Sequence, residues 1–238
     1  MNPLKPGRSA LDYLELFRTG SWFRGIPVDL QHKLLQAGVL RELKAGQHLF
    51  SKGDTTSGLF GVVDGAIRLS SFGASGREAL LMLLEPPIWV GEISLFDGLP
   101  RTHDAIADDA SVVVQVSRQA LDSLLQAQPI YWRELGLLMA QQMRLALLAM
   151  EETALLPAAI RLARRLVMIA HHYGHGDSHS RRVIGVRQEQ LALMLSISRQ
   201  TTNQILKSFE TQGAIQLRYG EIELLDLDKL RELGTSPE

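Results

Sequence analysis

Apolar residues are distributed in two different ways along this chain. From position 39 to 116 they come in short runs broken by Gly, Asp and Ser: "HLFSKGD", "GLFGVVDGAIRLSSFG", "EALLMLL", "SVVVQVS". Turn signals at about ten-residue spacing between β-branched runs predict a compact antiparallel β domain. Gly53, Gly58, Gly65, Gly73 and Gly76 fall where strands must reverse. Outside this stretch the period is helical. "VDLQHKLLQA" at 28–37 predicts a short amphipathic helix with Asp29 near its start, and 118–128 predicts another.

Pro129 opens a long helical pattern that continues to Leu156. One apolar stripe runs through Leu135, Leu138, Gln142, Leu145 and Ala149. A second runs through Trp132, Gly136, Met139, Met143, Ala146 and Met150. A helix apolar on two sides must be covered on two sides. One stripe is expected on the β domain, and the other on the same helix of a second subunit. Pro157 interrupts the run, which puts a hinge at Leu155–Pro157 and a further helix at 158–172.

Residues 187–212, "RQEQLALMLSISRQTTNQILKSFETQ", hold two short helical periods separated by Ser196-Ile197. The first, 188–195, is expected to bury Leu191, Ala192 and Leu195. Ser198 is a good N-cap for the second, which is expected to bury Thr202, Ile205, Leu206 and Phe209. Its outer face carries Arg199, Gln200, Asn203, Gln204 and Lys207. The donors and acceptors of such residues match major-groove base edges and phosphates. "GAIQLRYGEIELLD" then reads as a hairpin turning at 218–220, so the unit is a winged helix-turn-helix.

Charge supports a nucleic-acid partner only when it is read locally. The 238-residue chain has formal net charge −1. Residues 157–220, however, carry nine Lys/Arg and three Asp/Glu, against fourteen and seventeen in 1–156 and two and six in the last eighteen residues. A basic segment between acidic ones suggests a phosphate-binding surface. The chain has no cysteine, which excludes thiolate zinc sites, iron–sulfur clusters and a cysteine nucleophile. No apolar run is long enough to span a membrane, and the start lacks the layout of a signal peptide, so a cytoplasmic protein is expected. No Walker loop, Ser-His-Asp arrangement or paired-carboxylate pattern points to an enzyme.

"SRQTTNQILKSFETQGAI", "GEISLFDGLPRTHDA" at 91–105 and "VVDGAIRL" resemble, in turn, the recognition helix, the phosphate-binding cassette and a β-roll strand-turn of the bacterial family of the cAMP receptor protein and its oxygen-sensing relative, the CRP/FNR family. The resemblance covers nearly the whole chain. It implies an α+β fold: an N-terminal cyclic-nucleotide-binding-type β-roll (1–128), a dimerisation helix with hinge (129–156) and a winged helix-turn-helix DNA-binding domain (157–238). It also implies a homodimeric regulator that binds a palindromic operator and works with RNA polymerase. In the family, positions matching Arg199, Gln200 and Gln204 read the groove, with Lys207 near the backbone. Gly91 and Glu92 match residues on the ribose and phosphate side of a cyclic nucleotide, and Arg101 and Thr102 match those that hold its phosphate.

One feature sets this sequence apart from the receptor protein. Its helix hydroxyls that grip the base are matched here by Ala146 and Leu147, which neither donate nor accept. Phosphate capture is therefore expected to be intact and adenine selection damaged. The effector is left open among cAMP, another anionic molecule with an apolar body, and no effector at all. Glu92 and Arg101 pairing with each other in an empty roll is the plain alternative. The histidines His171, His172, His175 and His179 offer a further one, a metal-responsive regulator.

Overall fold

The computed structural model describes residues 7–55, 58–74, 76–171 and 183–235. Those up to 143, apart from 77–80, form one compact unit, and 77–80 with 144 onward form a second.

The first unit opens with a 3₁₀ turn, Ala10–Tyr13, and three short helices, α1 (Leu14–Arg18), α2 (Ser21–Gly25) and α3 (Val28–Gln36). Of these only α3 was legible as a helical period. The strands follow: β1 (Gly38–Leu43), β2 (His48–Phe50), β3 (Gly58–Asp64), β4 (Ile67–Phe72), β5 (Glu78–Leu84) and β6 (Trp89–Val90). Helix α4 (Ile93–Asp97) precedes β7 (Asp104–Ala107), β8 (Ser111–Ser117) and α5 (Arg118–Ala127).

Two antiparallel sheets result, ordered β1-β8-β3-β6 and β2-β7-β4-β5. In β8, "SVVVQVS" is paired on both sides, with Val114 opposite Leu40 of β1 and Gly61 of β3. Both of its faces are buried, which is why it reads as a run of valines. Val112, Val114 and Val116 pack on the helical side with Phe17, Trp22, Phe23 and Trp89, while Val113 points the other way. Phe23 stacks on Trp89 at 5.6 Å, and Phe17 meets Trp89 at 4.7 Å. Gly65, at φ 74° between β3 and β4, sits where a Cβ would come within 2.5 Å of Ser111 Oγ. No other residue fits this turn of "VVDGAIRL".

The long helix α6 spans Tyr131–Leu155. It begins two residues later than Pro129 suggests, because residues 129–130 form a turn, with Trp132 N–H donating to the Pro129 carbonyl at 3.1 Å. Tyr131, Leu135 and Leu138 join the aromatic core, so the first stripe lies on the β domain over these residues. On other faces of the helix Met143, Leu147, Leu148 and Met150 are exposed, Leu147 by 56%.

In the second unit, α7 (Ala158–Ala170) follows Pro157, which is its N-cap. Strand β9 (Val183–Ile184), α8 (Gln188–Leu195), α9 (Arg199–Thr211), β10 (Ile215–Arg218), β11 (Glu221–Leu224) and α10 (Leu227–Leu233) complete the chain. The strands form one sheet, β10-β11-β9, and the β10–β11 turn is Tyr219-Gly220. Leu162, Ala163, Leu166, Leu191, Leu206, Phe209, Ile215 and Ile222 are buried here. No helix among the described residues is long and apolar enough to cross a membrane.

Candidate functional site

The reader begins with α8, whose first turn is closed by Arg187 N–H donating to Gln190 Oε1 at 2.8 Å. The helix stops at Ser196, which is left-handed at φ 54°, ψ 39°. A non-glycine residue in that region costs roughly 1 kcal/mol. The orphan carbonyl of Leu195 beside it accepts from Arg161 Nη1 at 3.1 Å. This arginine comes from α7 and was not singled out in the sequence, since nothing local marks a side chain that caps a helix 34 positions away.

Ser198 then caps α9, its Oγ accepting from the Thr201 N–H at 2.9 Å. With the start of α9 fixed, Thr202, Leu206 and Phe209 turn into the core and Ile205 is only half-buried. Arg199, Gln200, Gln204 and Lys207 are exposed along the other side. Asn203 is half-buried and its Nδ2 donates to Gln188 Oε1 of α8 at 2.8 Å, so part of its donor capacity is engaged within the reader. At the far end, Glu210 Oε1 accepts from Leu217 N–H at 2.8 Å and ties the wing to α9.

The cassette lies in the first unit. Gly91 has φ 107°, and a Cβ there would sit 2.5 Å from the Gly58 carbonyl oxygen. This close approach brings two carbonyls onto one guanidinium. Arg101 Nη2 donates to the Gly58 carbonyl at 2.8 Å and Nη1 to the Gly91 carbonyl at 2.9 Å. The same guanidinium lies 4.5 Å from the ring centre of Phe50 and 5.5 Å from that of Phe60. Its Nε is buried and has no partner among the described residues.

Glu92, 4% exposed, is the N-cap residue of α4, and among the described residues it forms no direct ion pair with Arg101. Burial pushes its carboxyl above the ordinary carboxylate range. Backbone hydrogen bonding at Glu92 and Gly91 and the charge of Arg101 counter this only in part. Burial likewise lowers Arg101, against the opposing charges of Glu92 and Asp54. Thr102 is exposed, and its Oγ1 is 2.8 Å from His103 Nδ1.

Gly91, Glu92 and Arg101 are thus brought together with Gly58, Phe50 and Phe60, while Thr102 turns to His103. The carbonyl and aromatic partners of Arg101 could not be read from sequence, because β2 and β3 are joined to the cassette only by the roll. Ala146 and Leu147 are exposed on α6 in the second unit. His172, His175 and His179 lie outside the described residues. His171 Nε2 faces Arg231 Nη2 at 3.1 Å, and its pKa is held below the usual histidine value by burial and by that positive charge. No cluster of three or more His, Cys, Asp or Glu fit to hold a metal occurs among the described residues.

Residues 40–128 match the model of the cyclic nucleotide-binding domain, and residues 160–233 match that of the Crp-like helix-turn-helix domain. The chain belongs to the CRP/FNR family of transcription regulators. Among curated CRP/FNR relatives, it is 27% identical over 186 residues to the CRP-like cAMP-activated global transcriptional regulator of Mycobacterium tuberculosis, covering 78% of this chain and 83% of the relative. It is 27% identical over 189 residues to the cyclic AMP receptor protein of Thermus thermophilus, covering 79% and 85%. The solved structure of FixK2 from Bradyrhizobium japonicum superposes with a TM-score of 0.74 at 18% identity, covering 84% of this chain and 99% of that one, which bears on the fold. The β-roll, the long helix and the winged reader are therefore those of a CRP/FNR-type DNA-binding regulator. Its curated relatives are regulators of transcription rather than enzymes.

Proposed function

We propose that this regulator is a cytoplasmic homodimer that reads a palindromic operator through α9 and acts with RNA polymerase. In this reading 1–128 senses, 129–156 joins the subunits and 157–238 binds DNA. The observation that carries it is α9 itself: a helix started by Ser198 that exposes Arg199, Gln200, Gln204 and Lys207 on a basic module. Arg199 is positioned to read a guanine, the two glutamines to read neighbouring base edges, and Lys207 to meet phosphate. Ser198, as the cap, and Asn203, through Gln188, orient the helix.

Dimerisation is supported by the apolar residues of α6 left in solvent, Met143, Leu147 and Met150, at four- and three-residue spacing. Two such helices side by side would cover them. Leu147→Glu would place an uncompensated carboxylate twice in a two-fold interface. The variant is expected to sediment as a monomer with its β-roll intact.

The direct test is selection of duplexes from a randomised library with the full-length protein. A two-fold sequence with half-sites about 34 Å apart is expected. Arg199→Ala should then weaken the selected duplex by about 1–3 kcal/mol and relax one base position. Equal weakening of selected and random DNA would remove base reading from Arg199.

For the effector, buried Arg101 and Glu92 support a small anionic ligand held by Gly91, Glu92, Arg101 and Thr102, and Ala146 and Leu147 stand where the receptor protein has base-gripping hydroxyls. A cyclic nucleotide such as cAMP fits the phosphate side, and poor base selectivity is expected from the missing hydroxyls. The second reading is an effector-independent regulator with a vestigial pocket. It is favoured by Arg101 already donating to two carbonyls of its own chain. Calorimetry with cAMP and cyclic GMP, beside Arg101→Ala, separates them: anion-dependent binding lost in the variant supports the first, and no nucleotide binding supports the second.

A further inference from the structure

The joint between α6 and the reader has little backbone to hold it. Helix α6 ends at Leu155, and the last hydrogen bond of its run is Leu156 N–H to the Glu152 carbonyl at 3.0 Å. Pro157 follows in an extended conformation, φ −57° and ψ 152°, and has no N–H to donate. Helix α7 starts its own ladder with Arg161 N–H to the Pro157 carbonyl. No backbone hydrogen bond within either helix fixes the angle between the two.

A side chain spans the break instead. Arg164, two turns into α7, places Nη1 3.3 Å from Glu152 Oε1 on the last turn of α6. Its Nε donates to the Gly234 carbonyl at 2.7 Å, at the C-cap of α10. The Glu152 carboxylate is mostly buried, with its side chain 13% exposed. Gly234 is fitted to this contact, since a Cβ there would meet Arg164 Cγ at 3.1 Å. The carbonyl at a helix C-terminus is an orphan acceptor on the negative end of the helix dipole, where a cation is favoured. A guanidinium can serve both acceptors at once because its donors are fixed in one plane and its charge is permanent. Three elements, the end of α6, α7 and the end of α10, therefore meet on one side chain.

We infer that Arg164 is a positioning residue that sets the angle at which the reader leaves the long helix, and so the half-site spacing the dimer accepts. The inference rests on the reading above of a two-fold dimer that inserts α9 in the groove. A change in the α6–α7 angle would strip the mostly buried Glu152 carboxylate of its cation, so the clamp resists it. In a dimer, that angle governs the separation of the two α9 helices. It leaves each α9 face, and the bases it reads, unchanged.

The test uses the full-length protein and a duplex selected from a randomised library by the wild type. The duplex is remade with one or two base pairs inserted or removed between the half-sites, and separately with one base substituted inside a half-site. Binding is measured for wild type, Arg164→Met, Glu152→Gln and the exchange Glu152→Arg/Arg164→Glu. Glu152→Gln keeps the Arg164–Gly234 bond, so it remains informative if Arg164→Met folds poorly. Both single variants should lose about tenfold of the wild-type penalty for wrong spacing. Both should keep the wild-type penalty for the wrong base, and the exchange should restore part of the spacing penalty. A spacing penalty that stays within about threefold of wild type in Glu152→Gln overturns the inference, as does equal loss of spacing and base discrimination. A wild-type selection that returns no two-fold duplex overturns the dimer reading, and this inference with it.

Discussion

The cassette and the reader helix both carry polar residues chosen for a ligand, yet they hold them in opposite ways. In the cassette, Glu92 and Arg101 are buried, 4% and 5% exposed, and one guanidinium nitrogen has no partner among the described residues. On α9, Arg199, Gln200, Gln204 and Lys207 stand in solvent, and the helix that carries them is capped by Ser198 and closed onto α8 and the wing. The cassette's polar groups are therefore part of its fold. Those of the reader are free of it. A buried charge is costly unless it is paired and hydrogen-bonded, whereas an exposed one is solvated at little cost. Substitution should strike stability in the first region and binding alone in the second.

The largest expected effect is that of Arg101→Ala. It removes two charge-assisted bonds, frees the carbonyls of Gly58 and Gly91, and leaves Glu92 without its nearby cation. A loss of about 3 kcal/mol in unfolding free energy is expected from urea titration. Arg199→Ala, measured in the same way, should change stability by less than about 0.5 kcal/mol. Equal stability losses in the two variants would break the comparison.

A pH titration sharpens it. The folded-state pKa of Glu92 is raised, chiefly by burial, above the unfolded value of about 4.3. Between those two values the folded protein binds more protons than the unfolded chain. The contribution of Glu92 to stability therefore grows as pH falls through the raised value and levels off below the unfolded one. Above the raised value the ionised carboxylate destabilises the fold. Glu92→Gln should raise stability there and flatten the rise toward acid. A variant less stable than wild type across the whole range would mean that Arg101 compensates the carboxylate fully.

The smallest effect concerns the left-handed residue that ends α8. Ser196→Gly relieves a left-handed serine but adds freedom to the unfolded chain, so a net gain of about 0.5 kcal/mol is expected. Operator affinity should not change. A loss of affinity would show that the serine hydroxyl itself takes part in binding.

Much of this was legible in one dimension. Helix 188–195, the cap at Ser198, the break at Pro157 and the wing turn at Tyr219-Gly220 follow from local period, capping and turn chemistry, which act over a few residues. The short helices at 14–25 were not read. They are only five residues long, and what holds them is the aromatic contact of Phe17, Trp22 and Phe23 with Trp89, about seventy positions on.

The sequence by itself determined that a β-roll, a long helix and a basic winged reader follow one another, because period and charge are properties of neighbours along the chain. It also named Glu92, Arg101 and the α9 face. Only the tertiary structure decided what those residues touch. Arg101 could have met Glu92 directly, and instead meets the carbonyls of Gly58 and Gly91 between Phe50 and Phe60. Asn203 turned partly inward to Gln188, Thr102 turned to His103, and Arg161 and Arg164 reached Leu195 and Gly234. Each of these side chains carries donors that several acceptors could have satisfied. Which acceptor it meets is fixed by packing between distant segments, and no local pattern encodes that.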